Sequence, residues 1–134
     1  MNRCDRRSYE SLRRKEIKRL MSLPPGELEP CDLAKAEYVT PWMTRAYMNN
    51  RVVVMINDNA QTTHGAAIRV MIQRHDNEPI RDWRTIQNIK NEIFGPEAVA
   101  VEYFPAESEL LDTHNIYWIW VYPEGIMPLP IKFG

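Results

Sequence analysis

The stretch Ile116 to Tyr122 reads Ile-Tyr-Trp-Ile-Trp-Val-Tyr, seven residues without a charge or a small polar side chain. Aromatic and β-branched residues of this kind fit a pleated, buried surface. Side chains alternate across a strand, so Tyr117, Ile119 and Val121 share one face while Ile116, Trp118, Trp120 and Tyr122 share the other. Both faces are apolar. Such a strand is central and covered on both sides, or it keeps one face for a partner. A chain that contains it has to build a sheet around it and lay a second layer on that sheet.

The remaining elements supply that architecture. Arg51 to Asp58 is rich in β-branched residues and reads as a strand, followed by a polar turn through Asn59, Thr62 and Gly65. Ala67 to Arg74 alternates, with Ile68, Val70 and Ile72 on one face and Arg69, Met71 and Gln73 on the other, which predicts a half-buried strand in a hairpin with its predecessor. Asp82 is a good N-cap for a helix over Trp83 to Phe94, and Gly95-Pro96 stops it. Trp83, Ile86, Ile89, Lys90 and Ile93 fall along one side, a narrow stripe suited to packing on a sheet. Ala98 to Phe104 is a further strand, separated from Ile116 to Tyr122 by an acidic loop, Pro105 to Asn115. The expected fold is therefore α+β: a four-stranded, mainly antiparallel sheet in the order ββαββ, with one packed helix.

In front of that domain, residues 1–20 carry eight Lys/Arg against three Asp/Glu, a balance of +5 in a chain of net charge −1, so the remainder carries −6. Tyr9, Leu12, Ile17, Leu20 and Met21 recur at helical spacing, Ser8 is an N-cap candidate, and Pro24-Pro25-Gly26 ends the helix. The expected organisation is a basic helical arm over 1–26, a linker with short helical turns over 27–50 (32–38 and 41–48), and the α+β domain over 51–134. The 134 residues leave room for one such domain, and 44% hydrophobic content is enough to build its core without staples. Cys4 and Cys31 read as thiols of a reducing compartment. There is no apolar run of membrane-spanning length and no signal-peptide pattern, so the expectation is a cytoplasmic protein without membrane contact.

Chemistry-bearing patterns are sparse. His64, His75 and His114 stand in predicted loops and, with the two distant cysteines, give no metal-ligand spacing. There is no phosphate-cradling glycine loop, nucleophile elbow or Cys-His signature. No catalytic residue, metal or cofactor is assigned. Glu107, Glu109 and Asp112 read as a solvated loop, whereas Glu102 stands inside a strand, with Arg69 as its expected cross-strand partner. Arg69, Glu102, Tyr117, Trp118 and Trp120 are the candidate partner-binding residues. Arg6, Arg7, Arg13, Arg14, Lys18 and Arg19 could instead bind nucleic-acid phosphates. Strand aromatics, including Tyr103 and Phe104, could stack on unpaired bases.

Ile72-Gln73-Arg74-His75-Asp76, Pro79-Ile80-Arg81-Asp82-Trp83, Gln87-Asn88-Ile89-Lys90-Asn91-Glu92, Gly95-Pro96-Glu97 and Ala100-Val101-Glu102 with Pro105 form a recognisable series. With Asn115 to Pro123 and the closing Pro130 to Gly134, the stretch from Arg69 onward resembles an uncharacterised domain family of tailed-phage and prophage proteins. That family commonly carries a His near the position of Trp118. The resemblance implies a phage origin and no activity. The leading expectation is a non-enzymatic phage accessory protein that binds a host or phage protein, in host takeover or anti-defence. A nucleic-acid-binding factor using the basic arm is the second, and a metal-dependent hydrolase using Glu102 the third. The aromatic face, or an open sheet edge, would also serve a homodimer.

Overall fold

A computed structural model of the chain describes residues 3–31, 43–62, 65–104 and 115–125, with residues 3–10, 61–62 and 65–66 described by their backbone alone. Along the chain run α1 (Arg3–Ser22), β1 (Glu29–Cys31), β2 (Arg45–Met48), β3 (Val52–Asn57), β4 (Gln61–Thr62), β5 (Gly65–Ala66), β6 (Ile68–Arg74), α2 (Trp83–Phe94), β7 (Val99–Glu102) and β8 (Ile116–Tyr122). Six strands form one sheet in the order β1-β2-β3-β6-β8-β7, and β4 pairs with β5 in a separate two-stranded ladder. Every pairing is antiparallel.

The four expected strands are the contiguous run β3-β6-β8-β7 of that sheet. β3 and β6 form the expected hairpin, in register from Val52 opposite Arg74 to Asn57 opposite Arg69. β8 inserts between β6 and β7, with Met71 opposite Trp118 and Val101 opposite Trp120. Both neighbours run antiparallel to β8, so β6 and β7 run parallel to each other with α2 as their crossover, a split βαβ unit.

The sheet is wider than expected. Residues 45–48, read from sequence as a helical turn, are strand β2, and β1 adds an edge beyond it. The cause is local. Asn49 Oδ1 accepts from Arg51 N at 2.7 Å and Val52 N at 2.9 Å, while Asn49 N donates to Val52 O at 3.1 Å. This asparagine-built turn folds Arg45–Met48 back onto β3, and pairing overrides the weak helical preference of Ala46 and Met48. The expected turn at 32–38 lies outside the described residues.

Helix α1 begins at Arg3, so Ser8 lies within it rather than at its cap. It ends at Ser22, before Pro24-Pro25 as expected. The chain beyond it is fastened to the β2–β3 turn. Asn50 Nδ2 donates to Pro24 O at 2.5 Å, Gly26 N donates to Asn50 Oδ1 at 2.8 Å, and Arg51 Nη2 donates to Leu23 O at 2.7 Å. Farther back, the side chains of residues 11–16 are exposed, Leu12 at 65%.

Helix α2 covers one sheet face. Ile86 and Ile89 pack with Val52, Val54, Ile56, Val70, Ile72, Ile119 and Val121. Asp82 caps it by accepting from Arg84 N at 2.9 Å, and Gly95 closes it with φ 96° and a bond to Asn91 O. Lys90, counted from sequence among the apolar stripe, is only 4% exposed because its Nζ reaches Ala98 O at 2.6 Å and Pro96 O at 3.3 Å. The buried ammonium thus ties the helix to the turn leading into β7. On the opposite face Met43, Met55, Met71 and Trp118 form a second buried cluster. β6 is therefore buried on both sides, not on one. Met71 is 0% and Gln73 5% exposed.

After β8 the chain turns against the end of α2. Gly125 has φ 71°, and a Cβ there would stand 2.6 Å from Glu97 O. Gly125→Ala should therefore destabilise the protein by at least ~2 kcal/mol, since left-handed backbone alone costs a side-chain-bearing residue about 1–2 kcal/mol. Gly26→Ala meets only an ordinary 3.7 Å contact and should stay within about 0.5 kcal/mol of wild type. Urea unfolding of both variants measures the difference.

Candidate functional site

The register of β6, β8 and β7 decides which candidate residues meet. Arg69 is opposite Trp120 on β8, and Trp120 is opposite Val101 on β7. Two residues along from each lie Trp118 and Tyr103, and the ladder continues past β7 as Tyr103 N donates to Trp118 O at 3.2 Å. The result is one cluster on the face away from α2. The Arg69 guanidinium lies 5.4 Å from the Trp120 ring centre, 5.9 Å from Trp118 and 6.0 Å from Tyr103. Tyr103 stacks on Trp120 at 4.9 Å and 26°, and meets Trp118 edge-on at 5.9 Å and 74°. Such cation–π contacts contribute about 0.5–1 kcal/mol each when exposed and about 2 when desolvated. They hold a flat cation and three rings in one arrangement. Beside Tyr103, Phe104 is 87% exposed.

Glu102 and Tyr117 are on the other face. Glu102 is opposite Ile119 and projects with it toward the α2 side, where the Tyr117 phenol donates to its carboxylate. The expected Arg69–Glu102 cross-strand pair does not form: β8 separates their strands, and the two side chains leave opposite faces of the sheet. Trp83, at the start of α2, lies 6.2 Å from the Tyr117 ring. The five candidate partner-binding residues thus divide into Arg69, Trp118 and Trp120 on one side and Glu102 and Tyr117 on the other.

The basic candidates all fall on α1. Arg13, Arg14 and Lys18 are exposed, and Arg19 is held by Glu16 through Nη2–Oε1 at 2.6 Å and Nε–Oε2 at 3.1 Å. Arg6 and Arg7 lie in its first two turns. His75 is a fastening residue: its ring Nε2 is 2.8 Å from Asn49 O, and its N donates to Arg51 O. His64, His114, Glu107, Glu109 and Asp112 are outside the described residues. Among the described residues no group of three His, Cys, Asp or Glu side chains is placed to hold a metal ion. Among them, too, no helix is long and apolar enough to cross a membrane.

Tyr103 and Phe104, marked in the sequence only as aromatics able to stack on bases, stand outside the candidate partner-binding set, yet Tyr103 belongs to this cluster. Their signal was present, two aromatics at the end of a strand, but only the register shows that Tyr103 completes the Arg69 cluster. A second missed feature is an ion-pair network on the α2 side. Asp58 takes both prongs of Arg45, Nε at 3.0 Å and Nη2 at 2.9 Å, and the hydroxyl of Thr44 at 2.5 Å. Burial works to raise the Asp58 pKa, but the bonds from Arg45 and Thr44 and the Arg45 charge outweigh it and hold the carboxyl below its ordinary value.

Tyr117 titrates in the opposite sense. Burial first, then the hydrogen bond to Glu102 and the Glu102 charge, push its phenol up to about 12. The folded state holds this proton more tightly than the unfolded chain, whose tyrosines ionise near 10. Its stabilisation is therefore complete below about pH 10 and is lost as pH rises toward 12. Glu102→Gln should lower the Tyr117 pKa toward 10 without reaching it, because burial remains. Titration of ring-labelled tyrosine by NMR, assigned with Tyr117→Phe, reads the shift.

A family model described as a domain of unknown function (DUF7694) matches residues 59–124, from the turn after β3 to the residue pair that follows β8. Comparison with curated proteins and with solved structures returned no match. Over those residues, the strands that carry the aromatic cluster and the helix behind them, the chain is similar to that family.

Proposed function

We propose that the chain is a non-enzymatic binding protein whose contact surface is the aromatic rim formed by β7, β8 and Phe104, and whose partner is another protein. The observation that carries this reading is Phe104, 87% exposed and next in the chain to Tyr103, the residue that stacks on the half-buried Trp120. An exposed phenylalanine costs solvation in the free protein and returns it on burial, at about 25 cal/mol for each Å² covered. Tyrosine, tryptophan and arginine are the residues that dominate protein interfaces when held rigidly, and the stacking around Arg69 supplies that rigidity. β7 is also the last strand of the sheet among the described residues, the kind of position at which a partner strand adds to a sheet. The resemblance to phage and prophage sequences supports a partner from the host cell or the phage, and a role in host takeover or anti-defence in the host cytoplasm.

A second reading rests on α1, whose exposed Arg13, Arg14 and Lys18 form a basic surface away from the aromatic rim. Nucleic acid bound there would show affinity that falls by about 0.9 log units per phosphate contact for each log unit of salt.

A photocrosslinking residue placed at position 104 of the full chain, with another at position 14, separates the two. The expected result is a discrete protein adduct from position 104 that disappears when Trp120→Ala is added, with nothing comparable from position 14. A silent position 104 beside nucleic-acid adducts from position 14 would replace the first reading by the second.

A further inference from the structure

Two sets of rings in this protein hold a guanidinium of the chain's own. Arg69 lies over Tyr103, Trp118 and Trp120. Arg45 lies 5.4 Å from the Phe94 ring centre and 5.8 Å from that of Tyr47. The second set also contains a carboxylate. Asp58 accepts from Arg45 Nε and Nη2, while Arg45 Nη1 donates to the Tyr47 hydroxyl at 3.1 Å. Ring faces, a tyrosine hydroxyl and a carboxylate thus meet on one flat cation, which turns its plane to the rings and its edge to the oxygens.

The same components meet again, without the arginine, where the start of α2 passes the end of β7 and the start of β8. The Trp83 ring stands 6.2 Å from the Tyr117 ring at a tilt of 41°. The Tyr117 phenol donates to the Glu102 carboxylate, so the ring pair and the acid are contiguous. All three face solvent in part: Trp83 is 39% exposed, Glu102 is exposed and Tyr117 is half-buried. The phenol takes one of about four acceptor positions of the carboxylate and leaves the others open. Among the described residues no arginine or lysine stands over either ring, and none is paired with Glu102. The charged neighbours of Trp83 in the chain are Asp82, committed to the helix cap, and the exposed Arg81 and Arg84. Those two arginines oppose an incoming cation at long range, where salt screens them. Attraction therefore has to come from direct contact with the rings and with Glu102.

We propose that Trp83, Tyr117 and Glu102 bind an arginine side chain of a protein partner, its guanidinium plane on the Trp83 ring and its edge on the Glu102 carboxylate. That the arginine belongs to a protein rests on the protein-binding reading above; the site itself does not. Arginine suits the arrangement better than lysine, because an ammonium offers neither the plane nor the fork. Tryptophan, tyrosine and arginine are also the residues that carry most of the energy of protein interfaces.

Three probes test the site on the full chain: Nα-acetyl-arginine amide, its neutral isostere Nα-acetyl-citrulline amide, and Nα-acetyl-lysine amide. Each is titrated to about 50 mM, which reaches Kd values in the millimolar range. The readout is the Trp83 indole N–H resonance, assigned with Trp83→Phe. The arginine probe should move it saturably and bind at least fivefold more tightly than the citrulline probe, with the lysine probe between them. Glu102→Gln, at an exposed position, should weaken the arginine probe at least fivefold while the Trp118 and Trp120 resonances stay in place. No saturable shift at Trp83, equal binding of the arginine and citrulline probes, or binding unchanged in Glu102→Gln would each overturn the site. A saturable arginine shift with no protein adduct from position 104 would keep the site and overturn a protein as the source of the arginine.

Discussion

Strand β8 has no polar side, and the rest of the structure is the consequence of giving it neighbours. A strand apolar on both faces has to be paired along both edges and covered above and below, or its surface is left in water. The chain achieves the pairing by placing β6 and β7 on either side, parallel to each other, with α2 crossing between them. Among the described residues nine large side chains are fully buried, all from β3, β6, β8 and α2. Each contributes about 1.5–3 kcal/mol by burial, against about 0–1 for a surface ion pair such as Arg74–Asp76. Burial around β8 decides the fold, and the charges adjust to it.

The same alternation that buries β8 sorts its functional groups. Tyr117 joins Glu102 and Trp83 on the α2 side, while Trp118 and Trp120 turn to the other face and meet Arg69. β7 has four residues against the seven of β8, so it is too short to cover its partner fully. The aromatic packing therefore continues beyond its end through Tyr103 and leaves Phe104 in solvent. A rigid aromatic rim at the edge of a sheet is thus a product of unequal strand lengths as much as of composition.

Much of this was legible in the sequence where periodicity is strong. The hairpin of β3 and β6, helix α2 with its Asp82 cap and Gly95 stop, and the two-faced character of β8 follow from alternation and capping signals. β1 and β2 did not, because three- and four-residue strands are too short to show a period, and the signal that makes β2 a strand is the Asn49 side chain folding it onto β3. The second cover of β6 was hidden because Met71 and Gln73 look like a solvent face until Trp118 is placed opposite. The site was half legible for the same reason. Sequence places Arg69 and Glu102 on neighbouring-looking strands, but only the insertion of β8 between those strands shows that they diverge, and that Tyr103 takes the place beside Arg69.

Native-state hydrogen exchange, resolved by residue, tests the central role of β8 most directly. Amides of β8 and β6 should be the slowest in the protein, exchanging only through global unfolding, with β7 and β1 faster as edge strands. Exchange of β8 amides as fast as those of β1 would contradict a β8 paired on both edges and covered on both faces.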